Sequence, residues 1–501
     1  MSSTDVMVSR DRRIATVARS VRLVPALLAS VLTLSGCDGG VHGTPGGSGV
    51  RDPYFPKAGN GGYDVTHYAL RLTYDPDAHH LTGTATVTAR ATQDLSAFNL
   101  DLDGLEVDRV TVGGETARWN RAGQELTVRP HTDVDRDDTF RVTVRYSGAP
   151  GTVTDPDGSR EGWLRTSDGV LALGEPTGSM TWFPGNHHPS DKAAYDLTVS
   201  VPQGLRAVSN GELRGERTAR GRTTYVWHTG EPMASYLATL AIGRFDISRS
   251  RTPDGLPVYT AVDPAEARAS RPVLRRIPEV LRWAERRFGP YPFSSTGAIV
   301  DRAADLGYAL ETQNRPVFPG APDVTLLVHE LAHQWYGDSV SPKSWRDMWL
   351  NEGFATYAEW LWEEDHGGKS AQETFDALYS DDSSDNDGSS DTDGSSDTGE
   401  AADTGEAVDS VWAFPPADPP SAARISDAPV YWRGAMVLQK VRQTVGDERF
   451  WRILKGWAAE YRHGNADTAD FTAYVEKQAP GEDFEAIWED WLYGEGKPER
   501  P

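Results

Sequence analysis

His329-Glu330-Leu331-Ala332-His333, followed by Asn351-Glu352-Gly353-Phe354-Ala355, is the stretch on which the reading of this chain turns. On a helix, residues four apart lie about 40° apart around the axis, so His329 and His333 face one side and can share a metal ion. Eighteen residues separate His333 from Glu352, enough for a loop and the entry to an antiparallel helix, and Glu352 can then complete a His-His-Glu set. Two imidazoles and a carboxylate suit zinc, with a fourth position open for water. Glu330, beside the first imidazole, is placed to take a proton from that water as general base. Asp323 is set to cap the helix, Val324, Leu327, Val328 and Leu331 supply an apolar face, and Gly337 is expected to end it. The bland alternative for the first motif alone is a buried helix whose histidines bond to backbone; the second motif weighs against it.

Composition narrows the choices from the other side. The chain has 501 residues, 38% of them hydrophobic, which suits two or three globular domains. Against 50 basic side chains stand 74 acidic ones, for a formal charge of −24, and no cationic surface is offered to phosphates. Nucleic acid is therefore not an expected partner. Cys37 is the one cysteine, so neither an intrachain disulfide nor a thiolate zinc site can form.

That cysteine sits at the end of what reads as an address. Arg10, Arg12, Arg13, Arg19 and Arg22 precede a short apolar run, Leu23 to Gly36, interrupted by Pro25 and too short to span a membrane. Leu34-Ser35-Gly36-Cys37 resembles the bacterial lipoprotein signal, with residues 1–36 removed and Cys37 lipidated. An ordinary secretory signal is the alternative. The expectation is an exported protein, anchored to the outer face of the cell membrane through Cys37 or extracellular. A Gly/Ser/Pro-rich stretch, 37–60, reads as a flexible tether.

From Tyr63 to about residue 250 the dominant period is two. Tyr68, Leu70, Leu72 and Tyr74 alternate with polar or small residues, and so do Phe98 to Leu102, Phe140 to Tyr146 and Tyr195 to Val201. Such half-buried strands predict an antiparallel β saddle or sandwich over 61–250. Beyond Pro264 the period becomes helical: Val273, Ile277, Val280, Leu281, Ala284 and Phe288 recur until Gly289-Pro290. The expected fold class is thus α+β and multidomain, with a mainly helical second domain over 251–498. Within it, residues 380–410 carry eleven acidic and no basic side chains, and predict a disordered, solvated insertion. Repeated Asp-x-Asp-Gly there also admits weak Ca2+ binding, although no bidentate glutamate completes such a loop.

Two longer strings, HELAHQWYGDSV from His329 and WLNEGFATYAEW from Trp349, resemble the metal-binding block of the aminopeptidase N-like zinc metallopeptidases of the gluzincin group. The resemblance covers about Tyr63 to Pro498 and implies a saddle-like β domain before a thermolysin-like catalytic domain. It implies further roles. Tyr308-Ala309-Leu310-Glu311-Thr312 looks like the exopeptidase signature, with Glu311 binding the substrate's α-amino group; Tyr308 stands for the usual glycine and Leu310 for the usual methionine. Glu175-Pro176 is similar to the β-domain loop that supplies a second amine anchor, Glu175, with Leu173 where a glutamine is usual. Tyr431-Trp432-Arg433-Gly434-Ala435 resembles the segment bearing the catalytic tyrosine, Tyr431. His187 and His188, in a Pro/Asn-rich loop, read as loop residues rather than ligands.

The resemblance implies zinc on His329, His333 and Glu352, Glu330 as base, and peptides with a free amino terminus as substrates. A monomer is expected. Longer relatives continue into a closing helical domain, so an open site accepting peptides of varied length is expected here. Two other classes stay open: a zinc endopeptidase or epoxide-hydrolase relative, and an inactive surface module with the same fold.

Overall fold

The computed structural model describes residues 43–303, 306–380 and 411–499. The readings of Cys37 as a lipid anchor and of the acidic insertion, which begins at 380, lie outside these residues but for Ser380 itself.

Alternation builds the β part. Tyr63–Asp75 buries Tyr68, Leu70, Leu72 and Tyr74 and turns Arg71 and Thr73 outward. It lies inside an eight-stranded sheet, pairing antiparallel with His80–Ala91 and parallel with Lys192–Pro202. A five-stranded sheet contains Thr152–Thr154, Arg160–Arg165, Val170–Leu173, Leu240–Gly243 and Arg206–Ser209. Aromatic rings join these layers: Tyr74 of the first meets Trp163 of the second edge-on at 5.4 Å, and Phe183 packs edge-on against Tyr68 and Tyr195. Each such buried side chain contributes roughly 1.5–3 kcal/mol through the apolar surface it hides from water.

Past Gly243 the chain enters a different sheet. Asp246–Arg251 pairs antiparallel with Pro257–Val262, which continues in parallel with Thr296–Val300 and Val317–Phe318. The helices follow: α1 Ala267–Leu274, α2 Ile277–Phe288, α3 Val324–Ala332, α4 Trp349–Asp365, α5 Ala371–Ser380, α6 Gly434–Val445, α7 Asp447–Glu460 and α8 Thr468–Gln478. The run read as one helix up to Phe288 is broken at Arg275-Arg276, with Pro278 in the first turn of α2, where a missing N–H costs nothing. Among the described residues no helix is long and apolar enough to cross a membrane.

The expected tether is a correction. From Gly43 onward the segment is packed: Thr44–Pro45 pairs in parallel with Leu95–Asp101, and Ala58 and Asn60 are buried. Its glycines supply turns rather than slack, with φ of 79° at Gly49 and 72° at Gly59. Asp52 provides the lock. Its carboxylate accepts from the N–H groups of Tyr54 and Phe55, from the Ser344 hydroxyl at 2.8 Å and the Trp345 N–H at 3.0 Å, and faces His188 at 3.3 Å.

Candidate metal and substrate site

Asp323 caps α3 by accepting the Leu326 N–H at 2.8 Å, and Leu327, Val328 and Leu331 are buried. The helix ends sooner than expected, at Ala332 rather than near Gly337. His333 is its C-cap but keeps helical angles, φ −54° and ψ −27°, so the four-residue spacing still turns both imidazoles to one side. Their ring centroids are 4.6 Å apart.

α4 packs on α3 and brings Glu352 from its first turn, with Oε2 at 3.3 Å from His329 Nε2 and 3.4 Å from His333 Nε2. The opposite ring nitrogens are engaged elsewhere. His329 Nδ1 meets Glu359 Oε1 at 2.5 Å, and His333 Nδ1 meets the Tyr336 carbonyl at 3.2 Å. Since carboxylate and carbonyl accept, each Nδ1 donates its proton away from the cluster, and Nε2 of each ring is the atom turned toward Glu352. Three buried donors of type N, N and O then lie within 4.8 Å of one another. That set fits zinc. The electrostatics agree: burial alone would discharge both imidazoles, yet the Glu352 and Glu359 carboxylates outweigh it at His329, and Glu352 and Glu311 raise His333 to about 9. The surroundings demand positive charge that a divalent cation supplies.

A second cluster overlaps the first. Carboxylate oxygens of Glu175, Glu311 and Glu352 also lie within 4.8 Å of one another. Glu311 is buried, its Oε1 accepting the Asn351 amide N–H at 2.9 Å while its carbonyl accepts from Gln334 Nε2 at 3.0 Å. Glu175 follows the strand Val170–Leu173 and precedes Pro176 through a cis peptide bond. Burial pushes its carboxyl well above the usual range, and the charges of Glu311, Glu352, Glu161 and Glu330 push it further. Three crowded carboxylates beside a metal set make a place for a small cation. Tyr308 is half-buried and donates its hydroxyl to the Arg160 carbonyl at 3.1 Å, while Leu173 and Leu310 are buried.

Tyr431 arrives from a single π-helical turn, Pro429–Arg433, ahead of α6. Such a turn carries an extra residue that re-aims side chains, and recurs at functional sites. Its ring lies nearly parallel to that of His329, 14° between planes and 6.2 Å between centroids. Arg433 pins the turn from behind: fully buried, it donates to the carbonyls of Trp491, Phe414, Asp490 and Gly494. Glu330, buried on α3, completes the group.

All seven sequence-derived site residues therefore sit on elements that converge on one region. Glu359, Asn351 and Asp52 were not anticipated. Glu359 stands seven residues, or two turns, after Glu352 on the same helix face, a signal that helical spacing could have supplied. His187 and His188 are buried loop residues, bonded to the Phe183 carbonyl and to Asp52, and neither belongs to a metal cluster among the described residues.

Comparison with known proteins agrees with this geometry. The Peptidase M1 N-terminal domain matches residues 64–237 and the Peptidase family M1 domain matches residues 320–491. An M1 zinc metallopeptidase from Deinococcus radiodurans, solved as a mutant bound to a Tyr-Ser-Ala substrate, is similar with TM-score 0.79 and 28% identity, covering 90% of this chain and 99% of that one. A two-domain M1 zinc metallopeptidase bound to L-tryptophan matches equally, at TM-score 0.79 and 28% identity over 90% of this chain and 99% of its own. Tricorn protease-interacting factor F2 of Thermoplasma acidophilum is 24% identical over 459 residues, 87% of this chain and 54% of that protein. Leucyl aminopeptidase of Saccharolobus solfataricus is 26% identical over 342 residues, 65% of this chain and 41% of its own. The chain spans about half the length of the curated relatives it matches. A β-rich domain leading into a helical domain with a His-His-Glu donor set defines a two-domain zinc-metallopeptidase fold. Within that class the chain belongs to peptidase family M1.

Proposed function

We propose that this protein is a zinc-dependent aminopeptidase that removes amino-terminal residues from peptides. The observation that carries the reading is the trio Glu175, Glu311 and Glu352, whose oxygens crowd within 4.8 Å beside the two imidazoles. A substrate α-ammonium between Glu175 and Glu311 relieves that repulsion and sets the first peptide bond against the metal donors. Amine anchors have no purpose in internal cleavage, which weighs against an endopeptidase.

His329, His333 and Glu352 would hold the zinc ion, which when bound supplies Lewis-acid polarisation of the carbonyl and a more acidic water. Glu330 takes the attacking water's proton and passes it to the leaving amine nitrogen. Tyr431 donates its phenol O–H to the oxyanion as it develops, favouring the transition state over the ground-state carbonyl.

Purified protein would be offered a panel of aminoacyl fluorogenic amides, and the same amides acetylated at nitrogen, with and without a zinc chelator. Chelator-sensitive cleavage of the free amines alone is expected; cleavage of acetylated substrates would move the assignment to an endopeptidase. The exported lipoprotein and the monomer belong to the same proposal. Leu34-Ser35-Gly36-Cys37 supports the first, to be tested by mass spectrometry of the mature amino terminus beside Cys37→Ser. Sedimentation of the mature protein tests the second. Weak Ca2+ binding at the acidic insertion falls outside the described residues and is not part of this proposal.

A further inference from the structure

We propose that Glu161, paired with Asp155, is a positioning residue for Glu175; the inference rests on the reading of Glu175 as an ammonium anchor. Glu175 holds its carboxylate oxygen within 4.8 Å of those of Glu311 and Glu352, so its loop has to be kept in place against like charge. Thr177, two residues on, supplies the grip. Its backbone N–H and its hydroxyl both donate to Glu161 Oε1, at 2.9 and 2.8 Å. Glu161 is fully buried on the strand Arg160–Arg165, which pairs directly with the strand leading to Glu175, Gly162 opposite Leu173.

The loop lies close on that strand. A Cβ at Gly178 would fall 2.3 Å from the Leu173 carbonyl oxygen, 2.5 Å from the Gly162 nitrogen and 2.7 Å from Glu161 Oε2. Behind Glu161 stands Asp155, and the outer oxygens of the pair, Asp155 Oδ2 and Glu161 Oε2, are buried without a donor among the described residues. Burial raises both carboxyl groups, and Glu161 raises Asp155 further while the bonds from Asp155 and Thr177 pull Glu161 back down, so the proton rests on Asp155 and is donated to Glu161. That bond fixes the acceptor that holds Thr177. The same strand also reaches the other anchor, because the Tyr308 hydroxyl, three residues before Glu311, donates to the Arg160 carbonyl. Both anchors are thus held from Arg160-Glu161.

The test compares wild type, Glu161→Leu and Glu161→Gln in the full zinc-loaded chain. For free aminoacyl amides, Glu161→Leu is expected to raise KM about tenfold or more while kcat stays within about threefold and zinc content is kept. Glu161→Gln can accept from Thr177 and donate to Asp155, and should return KM to within about threefold of wild type. An unchanged KM in Glu161→Leu, or parallel losses of kcat and zinc in both variants, overturns the proposal. Hydrogen exchange at the Thr177 amide reads the grip without any substrate: it should quicken about tenfold or more in Glu161→Leu and not in Glu161→Gln. A wild type without aminopeptidase activity would refute the anchor reading, and exchange unaltered by Glu161→Leu would refute the grip.

Discussion

Gly353 of α4 and Gly434 of α6 lie back to back: a Cβ on Gly353 would sit 3.0 Å from Gly434 Cα, and one on Gly434 would sit 3.1 Å from Gly353 Cα. One helix carries the ligand Glu352, the other follows the turn that carries Tyr431, so the missing side chains set the distance between metal donors and phenol. Gly434→Ala should force the backbones apart, cost about 1–3 kcal/mol of stability and lower kcat more than zinc content. Thermal unfolding, metal analysis and kinetics on one preparation check this; unchanged kcat would show that the approach does not position Tyr431.

Glu359 holds the imidazole of His329 by its far nitrogen. Glu359→Ala leaves all three metal donors in place yet should weaken zinc binding about 10- to 100-fold, since ring orientation and basicity are lost together. Competition against a chromophoric chelator measures it.

Glu330→Gln removes the proton acceptor while keeping the shape of the side chain. A fall in kcat of about 10²–10⁴ is expected, with full zinc occupancy. Retained activity would hand the base role to another group.

Tyr431→Phe deletes one hydroxyl from a partly exposed ring. Stability should change little, and kcat should fall about 10²–10³ with KM nearly constant, as for a donor that acts on the oxyanion. A change confined to KM would make Tyr431 a binding residue instead.

Asp52 governs the acid limit of the fold. Burial alone would raise its carboxyl, but the contact with His188 and the donors Phe55, Ser344 and Tyr54 outweigh burial and hold it well below its ordinary 3.8. A depressed folded value means the stabilisation is present above 3.8 and is lost as pH falls toward the folded value. Denaturant midpoints should therefore drop steeply below that pH in wild type. Asp52→Asn should be less stable by about 2–4 kcal/mol at neutral pH, with a shallower acid limb.

The sequence by itself determined what is local. Period-two alternation is a property of one strand, and it located Tyr63–Asp75, Thr139–Gly148 and Lys192–Pro202 without reference to their partners. Four-residue spacing is likewise a property of one helix, so His329 and His333 could be read as facing together before any fold was known. Only the tertiary structure decided what depends on meeting across distance. Asp52 turned an apparent tether into packed chain because its donors lie nearly three hundred residues away at Ser344 and Trp345. Glu161 found Thr177, and Asn351 found Glu311, through strand pairing and helix packing that no spacing encodes. The helix bearing His329 stopped at Ala332, and the bond that holds the His333 imidazole, to the Tyr336 carbonyl beyond that end, appeared only in the fold. A short-range pattern is written in consecutive residues; a buried carboxylate chooses its partners from whatever the fold brings within hydrogen-bond reach.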